Sequence, residues 1–306
     1  MKFFNVFISN RDIVGIGFHG QTIYHKPELG ITLQIGNGAL LCELTKITVI
    51  DNLRKRDMAA GGQGAPILPL YHLALIRELC LKDHSVFQNI DNVCFLNIGG
   101  VANVTYISDI EYIDNDFHYN NVFAFDTGPG NALLNDWVNS LTNSEYDNNG
   151  DISRKGKIDK QAISEWMKNE YFNHNPPKSL DRNTFSNVIK YLQMNSFELE
   201  DGAATLLGFT IESIINSAQY FKDKKPKIWF VCGGGRHNSY LMEQLKSQLF
   251  DSIVVPVEEY GWNGDMMEAE GMAYLAARCL RKLPVTLPST TNSSYPVTGG
   301  SINYYH

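Results

Sequence analysis

Three times along this chain an apolar run stops at a glycine-bearing polar turn, and that repetition constrains the fold more than any other feature. Leu96-Asn97-Ile98-Gly99-Gly100-Val101-Ala102-Asn103 is the first, Phe125-Asp126-Thr127-Gly128-Pro129-Gly130-Asn131 the second, and Phe230-Val231-Cys232-Gly233-Gly234-Gly235-Arg236-His237-Asn238 the third. Around them short β-branched runs alternate with longer stretches of helical periodicity, the pattern of an α/β protein with largely sandwiched sheets. Residues 14–18, 31–35, 47–51, 93–98, 104–107, 122–126, 227–232 and 253–257 read as strands. Residues 68–82, 131–141, 202–221, 239–249 and 266–279 read as helices, with Asp201 placed to cap the third of these. Residues 142–183 are polar and turn-rich and read as an excursion over a cleft, and the Pro/Ser/Thr/Gly-rich tail after Leu283 reads as irregular.

A chain of 306 residues suggests two domains. Its net charge of −7, with no Lys/Arg-rich stripe, argues against a nucleic-acid partner, because phosphate backbones are bound through basic surface. The five cysteines are scattered and unpaired in spacing, which fits buried thiols in a reducing compartment and neither a disulfide framework nor a zinc knuckle. The apolar start, Met1 to Ile8, is too short and too interrupted for a signal peptide. No run approaches the roughly 18 apolar residues of a membrane span, so a cytoplasmic protein is expected.

Gly15-Ile16-Gly17-Phe18-His19-Gly20 satisfies the dinucleotide fingerprint G-x-G-x-x-G, but that motif works only where a helix begins and presents its amino end to a pyrophosphate. Here the continuation, Gln21-Thr22-Ile23-Tyr24-His25-Lys26-Pro27, is extended in character, so a nicotinamide dehydrogenase is set aside. His19 and Gln21, at a strand end, either face a ligand or serve the structure.

The Gly99-Gly100 pair allows positive φ and lets backbone N–H groups approach an oxyanion, with an ordinary hairpin as the plain alternative. Asp126 ends a hydrophobic strand just before a helix, where α/β proteins bind ligands; otherwise it caps its own turn. One glycine suffices for a turn, so Gly233-Gly234-Gly235 suggests close approach of a ligand, and no Walker lysine follows any of these turns. Arg54, in the run Asp51-Asn52-Leu53-Arg54-Lys55-Arg56-Asp57, can hold a carboxylate or phosphate as a fork, or merely be solvated. Asp265 and Glu268 form an i/i+3 pair at the start of the last helix, where acids also occur for dipole reasons alone.

Taken in order, His19-Gly20-Gln21-Thr22, Gly61-Gly62-Gln63-Gly64-Ala65-Pro66, Asn97-Ile98-Gly99-Gly100, Asp126-Thr127-Gly128-Pro129-Gly130-Asn131, Gly233-Gly234-Gly235 and the closing Leu283-Pro284-Val285-Thr286-Leu287-Pro288-Ser289-Thr290-Thr291 resemble the anhydro-N-acetylmuramic acid kinases over nearly the whole chain. The resemblance implies the actin-like ATPase fold of sugar kinases and Hsp70, two α/β lobes around a central cleft. It implies a first lobe in residues 1–90 and a second in 91–306, with the last helix crossing back to the first. It implies ATP and Mg²⁺ as cofactors, a small amino sugar as substrate, no nucleic acid or membrane, and a homodimer as the assembly to test.

By the same resemblance Asp126 is the catalytic base. Asn97, Gly99, Gly100, Asn103 and Gly128 belong to phosphate binding, and Gly233, Gly234, Gly235 and Asn238 to the adenosine motif. His19, Gln21, Arg54 and Glu268 are candidates to surround the sugar, and no protein metal ligand is assigned. The family's reaction opens the 1,6-anhydro ring with water and phosphorylates O6, giving N-acetylmuramic acid 6-phosphate for peptidoglycan recycling.

The family's opening G-T-S-x-D-G turn has no counterpart from Met1 to Val14. The expectation is therefore an N-terminally truncated first lobe with one jaw of the phosphate clamp missing and little turnover. The alternative function is an inactive remnant that binds an amino sugar or a partner.

Overall fold

The computed structural model describes residues 13–83, 86–110, 119–221 and 224–305, so Met1 to Ile8, and most of the stretch searched for the opening turn, lie outside the described residues. The chain forms two compact units, one taking it up to Tyr71 and again from Glu268, the other being His72–Met267.

The first unit begins with β1 (Ile16–Gly17), β2 (Gln21–Lys26), β3 (Ile31–Ile35), α1 (Gly38–Thr45), β4 (Val49–Asp51), α2 (Leu53–Ala59) and the start of α3 (Pro69–Lys82). β2 and β3 pair as an antiparallel hairpin, so extended chain and not a helix follows the G-x-G-x-x-G stretch. Helix α2 grows out of the charged run that sequence periodicity leaves unassigned. Its buried residues are Leu53 and Asp57, and a face made partly of carboxylate has no apolar period to detect.

The second unit holds β5 (Val93–Ile98), β6 (Val101–Ile107), β7 (Val122–Pro129), α4 (Ala132–Leu141), α5 (Lys160–Trp166), α6 (Ser186–Met194), α7 (Leu199–Asn216), β8 (Ile228–Cys232), α8 (Ser239–Gln248) and β9 (Ile253–Pro256). They form one five-stranded sheet in the order β7-β6-β5-β8-β9. β5, β6 and β7 make an antiparallel meander, while β8 and β9 run parallel to β5. This is the mixed α/β sheet that the alternation of strand and helix in the sequence implies. Strand alternation divides its sides: Cys94, Leu96 and Ile98 of β5, with Ala102, Val104 and Tyr106 of β6, pack into the core shared with α4 and α7.

Two expectations are corrected here. Helix α7 starts at Leu199 behind Glu198, and Asp201 lies in its first turn, where its Oδ1 accepts the Lys157 N–H at 2.8 Å. The carboxylate serves an incoming loop and caps nothing. The polar stretch 142–183 is no excursion either: it carries α5 and buries Trp166, Tyr171, Phe172 and Leu180 in the main core. Its apolar anchors are few and irregularly spaced, so its average composition hides them.

From Glu268 the chain returns to the first unit through α9 (Met267–Leu280), β10 (Pro284–Thr286), α10 (Pro288–Thr291), β11 (Val297–Thr298) and β12 (Ser301–Asn303). β4 lies between β1, parallel to it, and β12, antiparallel, while β10 pairs with β11. The tail is thus ordered, contrary to its turn-rich composition, because its Ser and Thr side chains are bonded into the unit. Met272, Leu275, Ala276 and Cys279 of α9 pack with Ile50, Leu53, Ile67 and Val285. The helix sits so close to β1 that a Cβ on Gly17 would lie 2.2 Å from the Met272 carbonyl oxygen. All five cysteines are free. Among the described residues no helix is long and apolar enough to cross a membrane.

Candidate active site

One polar row crosses the sheet of the second unit. Strand register pairs Asp126 with Asn103, Asn103 with Asn97, and Asn97 with Cys232. Directly opposed residues share a face, so these side chains span β7, β6, β5 and β8. A bulge between Ala102 and Asn103 interrupts the β6–β7 register just there, the kind of irregularity that re-aims side chains at sites.

Asp126 is 6% exposed and makes three hydrogen bonds with residues 171–180. Its Oδ2 accepts the Leu180 N–H at 2.7 Å, its own N–H donates to the Lys178 carbonyl at 2.9 Å, and its carbonyl accepts the Tyr171 hydroxyl at 2.6 Å. Burial first, and then the Asp126 charge, push the Tyr171 phenol well above its ordinary pKa, which keeps it a donor.

The glycines of the neighbouring turns divide into two kinds. Gly233 has φ of 74°, and a Cβ there would lie 2.4 Å from Asn97 Oδ1; one on Gly235 would lie 2.5 Å from Ile98 Cγ2. The chain's own packing requires both. Gly99, Gly100 and Gly234 differ: an added Cβ would meet no described atom closer than 3.6 Å, and none of the three has a left-handed φ. The expected positive φ at the Gly99-Gly100 pair is therefore not found. Pairing resumes at Ile98 and Ala102, and the longer loop closes without it.

That loop is stitched to the amino end of α4. The Asn131 N–H donates to the Gly99 carbonyl at 2.7 Å, Gly130 N–H to Gly100 at 3.0 Å, and Asn131 Nδ2 to Ile98 at 3.1 Å. A helix amino terminus beside an open glycine loop favours an anion. Gly128 has a packing reason of its own, since a Cβ there would lie 2.6 Å from Ser213. Asn238 is buried and caps α8, its Oδ1 accepting the Leu241 N–H at 2.9 Å.

Arg236 escaped sequence reasoning, being one cation beside a glycine run. Its side chain is only 3% exposed; it bonds Glu258 at 2.8 Å and Asp265 at 2.6 Å, and donates to the Gly233 carbonyl at 2.9 Å. The guanidinium thus holds the third glycine turn to residues 258–265, and its hydrogen bond holds the Asp265 carboxyl below the usual range. The expected Asp265/Glu268 helical pair is corrected accordingly: Asp265 precedes α9 and serves Arg236.

In the first unit His19 and Arg54 come together. Arg54 Nε donates to His19 Nε2 at 2.7 Å, so His19 carries its proton on Nδ1 and donates to the Gly20 carbonyl at 2.7 Å. Burial, and next the Arg54 charge, lower the His19 pKa, so the ring is neutral. Arg54 Nη1 also donates to the Gly64 carbonyl at 2.7 Å. Gln21 is exposed at the start of β2 and Glu268 in the first turn of α9; among the described residues neither bonds to this pair.

Beneath lies a carboxylate the sequence did not advertise. Asp57 is 0% exposed; its Oδ2 accepts the Gly64 N–H at 2.7 Å, and its Oδ1 accepts the hydroxyls of Thr286 and, at 2.7 Å, Thr291. Burial raises its pKa, and these hydrogen bonds oppose the rise. The only hint was threonine repetition in a distant tail, which proximity alone turns into a site.

A model of the anhydro-N-acetylmuramic acid kinase family matches residues 4–305. The chain is 43% identical over 297 residues to the anhydro-N-acetylmuramic acid kinase of Zymomonas mobilis, across 97% of this chain and 75% of that protein. The enzyme of the same name from Rhodospirillum rubrum is 42% identical over 286 residues, across 94% of this chain and 70% of that one. Among solved structures, component A of the (R)-2-hydroxyglutaryl-CoA dehydratase of Acidaminococcus fermentans is 14% identical, with a TM-score of 0.41 over 81% of this chain and 76% of that chain. That likeness is too slight to argue from.

Proposed function

The chain belongs to the anhydro-N-acetylmuramic acid kinase family, and on that premise we propose that it phosphorylates 1,6-anhydro-N-acetylmuramic acid with ATP while water opens the anhydro ring. The γ-phosphoryl group of ATP goes to O6 as water adds at C1, giving N-acetylmuramic acid 6-phosphate. In this reading Asp126 accepts the proton of the attacking water, the role a carboxylate has in inverting glycoside hydrolysis. The Leu180 N–H on Oδ2 fixes the plane of that carboxylate.

One observation carries the reading. Gly99, Gly100 and Gly234 have no packing reason to lack a side chain, and they gather beside the amino end of α4, on the sheet whose polar row ends in Asp126. Room kept clear of side chains next to a positive helix end suits phosphate oxygens. Arg236 supports it by fixing the Gly233 turn. His19 and Arg54, which lock each other in place, are proposed to line the sugar site. Gln21 and Glu268 are proposed contacts of the same kind, and Asn97 and Asn103 are proposed contacts of the nucleotide phosphates.

Among the described residues no group of three His, Cys, Asp or Glu side chains gathers to hold a metal. The magnesium ion is proposed to ride on the nucleotide phosphates, a site that takes at most one or two protein carboxylates. Phosphoryl transfer then rests on positioning and electrostatic stabilisation. A cytoplasmic place in cell-wall recycling follows from the substrate.

The test incubates the purified chain with the anhydro sugar and ATP–Mg²⁺ in ¹⁸O-water. A 6-phosphate carrying ¹⁸O at C1 is expected, in place of the little turnover inferred from the unmatched opening turn, since the kinase relatives align across 94–97% of this chain. Sugar binding without any phosphorylation is the outcome the binding-only alternative requires, and it would overturn the kinase reading.

A further inference from the structure

One short segment makes three hydrogen bonds with Asp126, and something must hold that segment in place. Residues 171–180 supply a donor to the carboxylate, an acceptor to the Asp126 N–H and a hydroxyl to its carbonyl, yet they form no strand of the sheet. What closes the arrangement is Lys178, only 5% exposed. Its ammonium donates to the Tyr171 carbonyl at 2.8 Å and to the Tyr220 hydroxyl at 3.4 Å. It also lies 4.6 Å and 4.8 Å from the ring centres of Tyr171 and Tyr220. Tyr220 in turn donates to the Phe172 carbonyl at 2.7 Å. The connections form a loop: Asp126 to the Lys178 backbone, the ammonium to Tyr171, and the Tyr171 hydroxyl back to Asp126.

We infer that Lys178 is a positioning residue for Asp126, anchoring residues 171–180 so that the Leu180 N–H meets the carboxylate. The inference rests on Asp126 as the base. No carboxylate forms a salt bridge with this ammonium among the described residues, so its burial is costly. Burial lowers its pKa to about 8. A methionine of similar length would fill the space without that cost, so the cation is not there for stability. What it adds is two directed hydrogen bonds that hold the segment, and a shift of one residue would carry the Leu180 N–H away from Oδ2.

Lys178→Met and Asp126→Asn are compared with the parent chain by urea unfolding, amide hydrogen exchange and steady-state kinetics with the anhydro sugar and ATP–Mg²⁺. For Lys178→Met the urea midpoint should equal or exceed the parent's. The Leu180 amide should exchange about tenfold faster while β5 and β8 amides are unchanged. The kcat should fall about tenfold or more with KM within about threefold. Unchanged Leu180 exchange overturns the inference, as does faster exchange spread over all amides with a lowered midpoint. If Lys178→Met does not fold, Tyr220→Phe takes its place, with a smaller change of the same sign at Leu180 expected and none overturning the inference. Full turnover by Asp126→Asn would sink the base assignment alone, because Leu180 exchange reads the anchoring without turnover.

Discussion

Glycines 62 and 64 are folded around the buried Asp57 carboxylate, whereas glycines 99, 100 and 234 in the other unit have no described neighbour within 3.4 Å of where a side chain would begin. A Cβ on Gly62 would lie 2.2 Å from Asp57 Oδ2, so that turn needs glycine to close on itself. The second set needs glycine for nothing the chain does internally. Glycine turns therefore differ in what the missing side chain is for: at Gly62 it makes room for the protein's own carboxylate, and at Gly99, Gly100 and Gly234 it leaves room that the proposed function fills with a ligand's oxygens. Composition cannot separate these cases, since both sequences are glycine runs beside polar residues.

The largest effect that would sharpen the contrast is catalytic. Asp126→Asn should lower turnover by about a thousandfold while nucleotide affinity stays within a few-fold, as loss of a general base does. Next, Asp57→Ala should lower stability by about 3 kcal/mol in urea unfolding, because buried donors from Gly64, Thr286 and Thr291 lose their acceptor together. A loss under about 0.5 kcal/mol would show that Asp57 does not tie its turn to the tail.

The comparison breaks if paired alanine substitutions behave alike. Gly234→Ala and Gly100→Ala should leave the unfolding midpoint unchanged and weaken binding of a non-hydrolysable ATP analogue about tenfold, or 1.4 kcal/mol. Gly62→Ala should do the reverse, destabilising by about 2 kcal/mol with nucleotide affinity intact. Calorimetry and titration on the same samples decide between them.

The smallest effect is one of pH. The Lys178 pKa is about 8 in the fold and 10.5 ordinarily, so between those values the unfolded chain binds more protons and stability rises with pH. From about pH 8 to about pH 9.5 the parent should gain on the order of 1 kcal/mol relative to Lys178→Met. Tyr171 and Tyr220, which face the ammonium, have phenol pKa values raised by burial and stay protonated over that window. A flat difference between the two chains would contradict the lysine's burial.

Much of this molecule was legible before any coordinates. The strands leading to Gly99 and Gly233 and the apolar start of β7 announce themselves because buried strands are largely apolar; that β7 runs on through Asp126 to Pro129, so that Asp126 does not end its strand, does not. The extended continuation after Gly20 was legible too, since Pro27 and the β-branched residues before it disfavour a helix. Helix α2 and the role of Asp201 were not, because each depends on a polar group whose partner is far away in sequence, and the buried path of residues 142–183 was hidden because its apolar anchors are few and irregularly spaced.

What the sequence by itself determined is the α/β class, the family and the apolar strand that carries Asp126, since strand periodicity and glycine placement act locally and survive in one dimension. What only the tertiary structure decided is which glycines are closed and which are open, why Arg236 is buried, and that Asp57, 229 residues from Thr286, and Asp126, 54 residues from Leu180, are each held by distant chain. Hydrogen bonding to a buried carboxylate pays no regard to sequence separation, and only the fold brings its donors within 3 Å.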